Sequence, residues 1–246
     1  GAKLERVVRP GVTGTEGGRL YREARRRFTV PDRAERISFD RNTYVLPRSA
    51  DQKLPMTTVN LEAVKLRLYR IADRNLATAV LRGFIERNLY PSVETDIGQS
   101  VGSLVWEGEA KVQSTRNEEV TTLLSLDEAL PAHREGIYAL VARRPEEPAS
   151  ERWREHATQW LVVSDLGLTT FEGRNGLAVV VRALGDAAPV PGAELTLVAR
   201  NNTVLTSATT DAQGIARFRP GHLRGKGGNR PALLTAATAA GDYNFI

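Results

Sequence analysis

Cysteine is absent from the 246 residues. Disulfides, thiolate metal sites and cysteine nucleophiles are therefore excluded for this segment. Aromatic residues are scarce, at 6%. Long hydrophobic runs are also missing: no window reaches the ~18 uninterrupted apolar residues that a membrane-spanning helix requires. The chain opens Gly-Ala-Lys without a Met, a signal-peptide pattern or a lipidation Cys, which reads as a processed or internal start.

What remains is an ordinary globular composition, 41% hydrophobic and 26% charged, sufficient for one or two domains with real cores. The net charge of +5 is uneven. Residues 1–35 carry nine basic against five acidic side chains, much of the excess in "REARRRF" (Arg22–Phe28). A nucleic-acid surface needs aromatic or recognition-helix partners beside such a patch. None accompanies it, so the run reads as a strand edge guarded by arginine, and no nucleic-acid partner is expected.

Alternation dominates the rest. "VKLRLY" sends Val64, Leu66 and Leu68 to one face and Lys65 and Arg67 to the other. "SLVWEGEAKV" does so with Leu104, Trp106, Ala110 and Val112 against Glu107, Glu109 and Lys111, and "AELTLVAR" with Leu195, Leu197 and Ala199 against Glu194 and Arg200. Repeated period-two patterns separated by turn residues predict half-buried antiparallel strands of β-sandwiches. Asn201-Asn202 suits a tight hairpin because Asn tolerates positive φ. In "TTDAQGIARF" (Thr209–Phe218), Asp211 and Gly214 occupy the first and fourth positions of a type I turn. It is expected to close a three-strand meander. A calcium loop would need further carboxylates, and none follows Asp211.

One segment departs from this. In "NLATAVLRGFIERNLYP", Leu76, Val80, Leu81, Phe84, Ile85 and Leu89 recur at helical spacing, opposite Arg82, Glu86 and Arg87. The stripe predicts an amphipathic helix near 75–89, capped by Asp73 or Asn75, stopped by Pro91 and packed on a sheet. Trp106 and Phe84 are expected in the core. "RRPEEPASERWREHATQ" (Arg143–Gln159) reads as a long charged loop, and a boundary is placed near Asp165, after the strand "TQWLVVSD".

No catalytic, cofactor-binding or metal-ligating residue is expected. "GQSVG" (Gly98–Gly102) matches Gly-x-Ser-x-Gly, but a nucleophilic Ser100 needs a strand-to-helix elbow. The residues that follow alternate as a strand, so a glycine-flanked turn or bulge is expected. His133, His156 and His222 lack metal-ligand spacing. "GHLRGKGG" is one residue short of a phosphate loop, and Gly227 stands where Ser or Thr would hold magnesium, so a hairpin tip is expected there. Arg224 and Lys226 leave weak anion binding open.

The order of the pieces is more specific than any one of them. "LPMTTVNLEAVKLRLYRIADRNL", "EGIYALVARR", "TQWLVVSDLGLTTFEGRNGLAVVVRALGDAAPVPGAELTLVARNNTVLTSATTDAQGIARF" and "AAGDYNF" together resemble bacterial alpha-2-macroglobulins over residues 36–246. The resemblance implies an all-β fold of tandem macroglobulin-like antiparallel β-sandwiches with one amphipathic helix. Its implied division is 1–35, last strands of a preceding Ig-like domain; 36–164, a sandwich with the helix near 75–89; and 165–246, a second sandwich. It also implies a larger envelope protein, periplasmic and lipid-anchored outside this segment. That parent traps proteases through a bait region and, in many members, a Cys-x-Glu-Gln thioester. Neither bait nor thioester lies in this cysteine-free stretch. Its implied partners are neighbouring domains of the same chain and, through the parent, target proteases; no cofactor is implied. The role left is architectural, with rigid sandwiches meeting at modest, deformable contacts. An adhesive or glycan-binding sandwich is the alternative, against which Trp106 alternates inward and Trp153 stands alone.

Overall fold

A computed structural model describes residues 1–40, 43–48, 53–72, 75–85, 87–89, 91–130, 135–145 and 156–246. The architecture is built from β-sheets, and every strand pair but one is antiparallel. β1 (Ala2–Val8) and β2 (Ala24–Val30) form an isolated hairpin. The first sandwich sets β3 (Arg36–Phe39), β5 (Lys53–Val59) and β8 (Glu119–Ser125) against a five-stranded sheet. That sheet runs β4 (Thr43–Leu46), β10 (His156–Val163), β9 (Gly136–Arg143), β6 (Ala63–Ile71), β7 (Gly102–Lys111). The exception is β4, which pairs parallel to β10.

The second sandwich sets β11 (Leu166–Gly173), β12 (Gly176–Ala183) and β15 (Ile215–Phe218) against a four-stranded sheet. Its order is β14 (Val204–Thr209), β13 (Glu194–Ala199), β16 (Pro231–Ala237), β17 (Tyr243–Phe245).

The alternation read from "VKLRLY" is realised: Val64, Leu66 and Leu68 fill the first sandwich with Leu140, Leu161 and Met56. β9 and β10 are buried on both faces, as continuous apolar strands require. Their second face packs Ile137, Ala139, Val141, Trp160 and Val162 under the segment 75–101.

That segment is not the single helix expected over 75–89. α1 (Leu76–Leu81) lasts six residues and ends where Gly83 turns to φ +64°. Pro91 begins α2 (Pro91–Asp96) instead of merely stopping its predecessor, and a π-helical turn, Ile97–Val101, follows directly. Asp73 and Glu86 lie outside the described residues, and Asn75 makes no side-chain cap; its amide donates to the carbonyl of Val101 at 3.0 Å. The apolar stripe does cover a sheet: Leu76, Ala79 and Leu89 are buried there, with Val80, Phe84 and Ile85 packed at the margin.

Two strand readings need correction. β7 carries a bulge: Trp106 faces Leu68, and the next paired residue, Leu104, faces Tyr69, leaving Val105 unpaired. The slip moves Leu104 off the core face, where it is 46% exposed, while Trp106 is partly buried against the first core. Phe84 is likewise only partly buried.

The Asp211 turn, second, closes no meander. β14 belongs to the four-stranded sheet and β15 to the opposite one, so the turn carries the chain across the sandwich. "GHLRGKGG" also crosses between sheets, through two short 3₁₀ turns after β15, and is not a hairpin tip. It lies on the Asn201-Asn202 hairpin, whose Asn201 N–H donates to the carbonyl of Gly228 at 2.9 Å. Asn202 itself takes φ +65°.

Candidate functional site

The motifs that carry chemistry elsewhere are structural here. Ser100 sits exposed in the π-helical turn, with Oγ 2.7 Å from the Asp96 carbonyl and 3.1 Å from Asp96 Oδ1. "GQSVG" is therefore neither the elbow of a hydrolase nor the plain turn expected of it. Gly98 and Gly102 are there for close approach: a Cβ at Gly102 would stand 2.5 Å from the Arg70 carbonyl oxygen. His156 belongs to β10, His222 to an exposed 3₁₀ turn of the second sandwich, and His133 lies outside the described residues. Among the described residues, Ser100's side-chain hydrogen-bond partner is Asp96 and not an imidazole. Among the described residues no three His, Asp or Glu side chains gather as metal ligands.

Asp211 behaves as a turn residue. Its Oδ1 accepts from the N–H groups of Gln213 and Ile215, both at 2.9 Å, and its carbonyl accepts from Gly214 at 2.9 Å. The Ile215 N–H bond foremost, then that of Gln213 and the neighbouring Arg217, hold the carboxyl below its ordinary value. Gly214 has φ +72°, and a Cβ there would stand 2.5 Å from the Val181 carbonyl oxygen. The other carboxylate oxygen, Oδ2, lies 3.5 Å from the Arg217 guanidinium on β15.

A buried carboxylate is the polar feature that sequence reading missed. Glu94, on α2, has a side chain only 3% exposed. It accepts a 2.6 Å hydrogen bond from the Tyr69 hydroxyl, is bonded by the Arg143 guanidinium, and lies 3.7 Å from Arg67. Arg67 in turn reaches Glu107 at 3.3 Å, and the hydrogen bond to Glu107 is the main cause of its raised pKa. The cluster ties the helical layer to β6, β7 and β9. A small cleft beside it is lined by Lys65, Arg67, Glu107, Arg143, Arg144 and Pro145. Its cations face carboxylates, since Arg144 also pairs with Glu35 at 2.7 Å. Nothing in "YPSVETDIG" signals it, because Ser92, Thr95 and Asp96 make Glu94 one polar residue among several.

Two linkers complete the picture. Residues 31–35, between the hairpin and the first sandwich, are held by exposed polar groups. Asp32 accepts from Arg116 at 2.8 Å, Arg33 reaches Glu119 at 2.7 Å, and the Arg33 N–H donates to Asn117 Oδ1 at 2.8 Å. The linker between the sandwiches is only Ser164-Asp165. Ser164 is fully buried and its N–H donates to the Leu46 carbonyl at 3.2 Å. Asp165 accepts from the Arg48 N–H at 2.8 Å, donates its own N–H to Asp242 Oδ2 at 3.0 Å, and accepts at its carbonyl from Leu184 at 2.8 Å.

With this geometry in view, similarity to known proteins becomes informative. A family model for the bacterial alpha-2-macroglobulin MG2 domain matches residues 38–152, and one for the MG3 domain of the same proteins matches residues 163–246. The chain belongs to the bacterial alpha-2-macroglobulin family. The alpha-2-macroglobulin of Escherichia coli (strain K12) is 24% identical over 209 residues, covering 85% of this chain and 12% of that protein. This chain thus spans about an eighth of that relative's length. A crystal structure of native E. coli alpha-2-macroglobulin spanning domains MG0-NIE-MG1 superposes with a TM-score of 0.70 at 20% identity, covering 99% of this chain and 74% of that one. A second, spanning NIE-MG1, gives 0.68 at 21% identity and covers 86% of this chain and 96% of that one. Macroglobulin-domain β-sandwiches are therefore the fold. No described tryptophan offers an exposed platform of the kind a glycan binder would use: Trp160 is 1% exposed, Trp106 lies over Gly108, and Trp153 is outside the described residues.

Proposed function

We propose that this chain is an architectural segment of a broad-spectrum endopeptidase inhibitor that traps proteases at the cell envelope. The observation that carries the reading is the tandem match of two alpha-2-macroglobulin domain models, over 38–152 and 163–246. The segment is not an enzyme and takes no cofactor. Its partners are neighbouring domains of the same polypeptide and, through the parent, the proteases it captures. The parent is periplasmic and held at the inner membrane by a lipid anchor elsewhere in its chain. The basis for that placement is the family resemblance.

The same reading divides the chain into 1–35, 36–164 and 165–246. The hairpin's apolar side, with Leu4 47%, Phe28 46% and Val30 44% exposed, suits the end of a sandwich whose other strands lie upstream. The solved fragment that includes MG0 covers 99% of this chain and the one without it 86%, a difference of about 32 residues, close to the length of 1–35.

The test compares parent with segment. The full-length parent should slow trypsin or elastase on a protein substrate, and the 246-residue chain should leave turnover unchanged. A parent that leaves both proteases untouched contradicts the trap. Stoichiometric inhibition by the segment alone would contradict the architectural role.

A further inference from the structure

We propose that the two sandwiches form one rigid strut, fused by a shared apolar core, so that any rearrangement of the parent displaces residues 36–246 as a single body. This inference rests on the packing and does not depend on protease trapping.

Three observations carry it. The first is a core that belongs to neither sandwich alone. Val198 of β13 and Leu233 of β16 are 8% and 5% exposed, and they are buried in the same cluster as Leu76, Ala79, Ile97, Ile137 and Trp160. Tyr243 and Phe245 of β17 pack onto it as well. These four side chains stand on the outer face of the four-stranded sheet. Its inner face holds Leu195, Leu197, Leu234 and Ala236. Strand alternation thus sends β13 and β16 into two cores at once. Leu76, Ala79 and Ile97 of the helical layer share one apolar cluster with side chains of both sheets.

The second observation is the linker. Two residues cannot act as a tether when each is fastened on both sides. Ser164 donates its N–H to Leu46 of β4 and accepts at Oγ from the Leu166 N–H of β11 at 3.0 Å, and Asp165 joins Arg48 of the first sandwich to Leu184 and Asp242 of the second. Asp242 is 6% exposed and also accepts from the Tyr243 N–H at 2.8 Å. Asn244, 7% exposed, donates to the Leu166 carbonyl at 2.6 Å. Swinging one sandwich about the other would break the Ser164–Leu46 and Arg48–Asp165 bonds and leave the buried Ser164 N–H without its acceptor, which is costly.

The third observation is contrast. The linker at 31–35 contributes no residue to a buried apolar cluster among the described residues; it is held by exposed Asp32, Arg33, Arg116 and Glu119, partly buried Asn117, and a Glu35–Arg144 pair at 2.7 Å. Ordinary contacts between domains of one chain are modest and polar, and relative motion is the default for them. That description fits residues 31–35 and fails at 164–166. The deformable contacts expected of this family therefore begin at the ends of the strut.

Pulsed dipolar spectroscopy tests this directly, because the cysteine-free chain accepts a single pair of spin labels cleanly. Glu109→Cys on β7 and Glu172→Cys on β11 place one label on an exposed position of each sandwich. One narrow distance, unchanged between low and high salt, is the expected result. A broad or multimodal distribution in the otherwise unaltered chain would overturn the proposal. In a second arm, Phe245→Ala with Val198→Ala should lose the single narrow peak while far-UV circular dichroism keeps its β signature. A peak equally narrow in that variant would also overturn it, because the shared core would then not be what fixes the joint. Should the variant fail to fold, the distribution in the labelled parent background decides.

Discussion

The backbone N–H of Arg48 donates to Oδ1 of Asp165 across 2.8 Å, joining residues 117 positions apart. Asp165 is thereby held by the first sandwich through its side chain and by the second through its backbone. Asp165→Ala should lower the melting temperature by removing the acceptor of the Arg48 N–H. Asp165→Asn should recover most of the loss, because its amide oxygen still accepts. Thermal melts of the three proteins check this ordering, and an Ala variant as stable as the parent would show that the bond is dispensable.

The first sandwich has one aromatic whose removal should be severe. Trp160 is 1% exposed and donates its indole N–H to the Arg87 carbonyl at 3.1 Å. Trp160→Ala should cost about 3–5 kcal/mol, the range for an emptied aromatic core site. Trp106→Ala should cost distinctly less, since that ring is only partly buried. Urea titration separates the two; equal losses would mean that the bulge in β7 is absent in solution.

Glu94 offers a sharper comparison. Glu94→Ala leaves Arg143, itself 15% exposed, facing the helical layer without its carboxylate, a loss on the order of 3–5 kcal/mol. Tyr69→Phe removes one hydrogen bond to the same carboxylate and should cost about 1–2 kcal/mol. Denaturant midpoints give both values. A Phe variant as damaging as the Ala variant would assign the stabilisation to the phenol instead of the ion pair.

How far these features could be read in the sequence depended on what lies on each side of a strand. In β6 the Val64, Leu66, Leu68 face is apolar and the Lys65 and Arg67 positions are charged, so alternation told the core side directly. Sheet membership was harder. A type I turn at Asp211 uses the same residues whether it closes a hairpin or crosses between sheets, so β15 was placed beside the wrong strand. The helical stripe misled in another way. Leu89 is buried like Leu76, but the chain reaches it through an irregular turn after Gly83, and burial leaves the same periodic trace. Glu94 was invisible because its partners come from β6 and β9, distant in sequence.

The Asp211 corner makes a prediction with opposite signs for turn and ligand loop. Gly214→Val forces a β-branched residue into φ +72° and sets its Cβ 2.5 Å from a backbone oxygen, so it should destabilise more than the ~1–2 kcal/mol of the backbone strain alone. Asp211→Asn should be nearly neutral at pH 7. The Asp211 carboxyl sits below its ordinary value of 3.8, so its contribution is complete above that value and is lost as pH falls toward the lower, folded value. Asp211→Asn should flatten that acid limb. Melting temperatures should be indifferent to calcium and to chelator, and a shift of several degrees with either would contradict the turn assignment.

Salt and acid should act first at residues 31–35. The Asp32 carboxyl is held well below 3.8, first by the Arg116 guanidinium and also by the Asn117 amide. Glu119 is lowered in the same sense by Arg33. Both depressed values place the stabilising charge above the ordinary carboxylate range, to be lost on acidification below it, and the surface pairs are screened by salt. Hydrogen exchange should therefore quicken in residues 24–33 in high salt, with β10 and β13 unchanged. Uniform quickening would contradict a polar clasp local to that linker.

Scanning calorimetry of the 246-residue chain shows whether the two sandwiches unfold as one cooperative structure. A core shared through Val198, Leu233, Trp160 and Leu76 couples their unfolding. The prediction is one transition whose calorimetric enthalpy equals its van't Hoff enthalpy. Two resolved transitions, each carrying about half of the heat, would show sandwiches that fold independently and would contradict it.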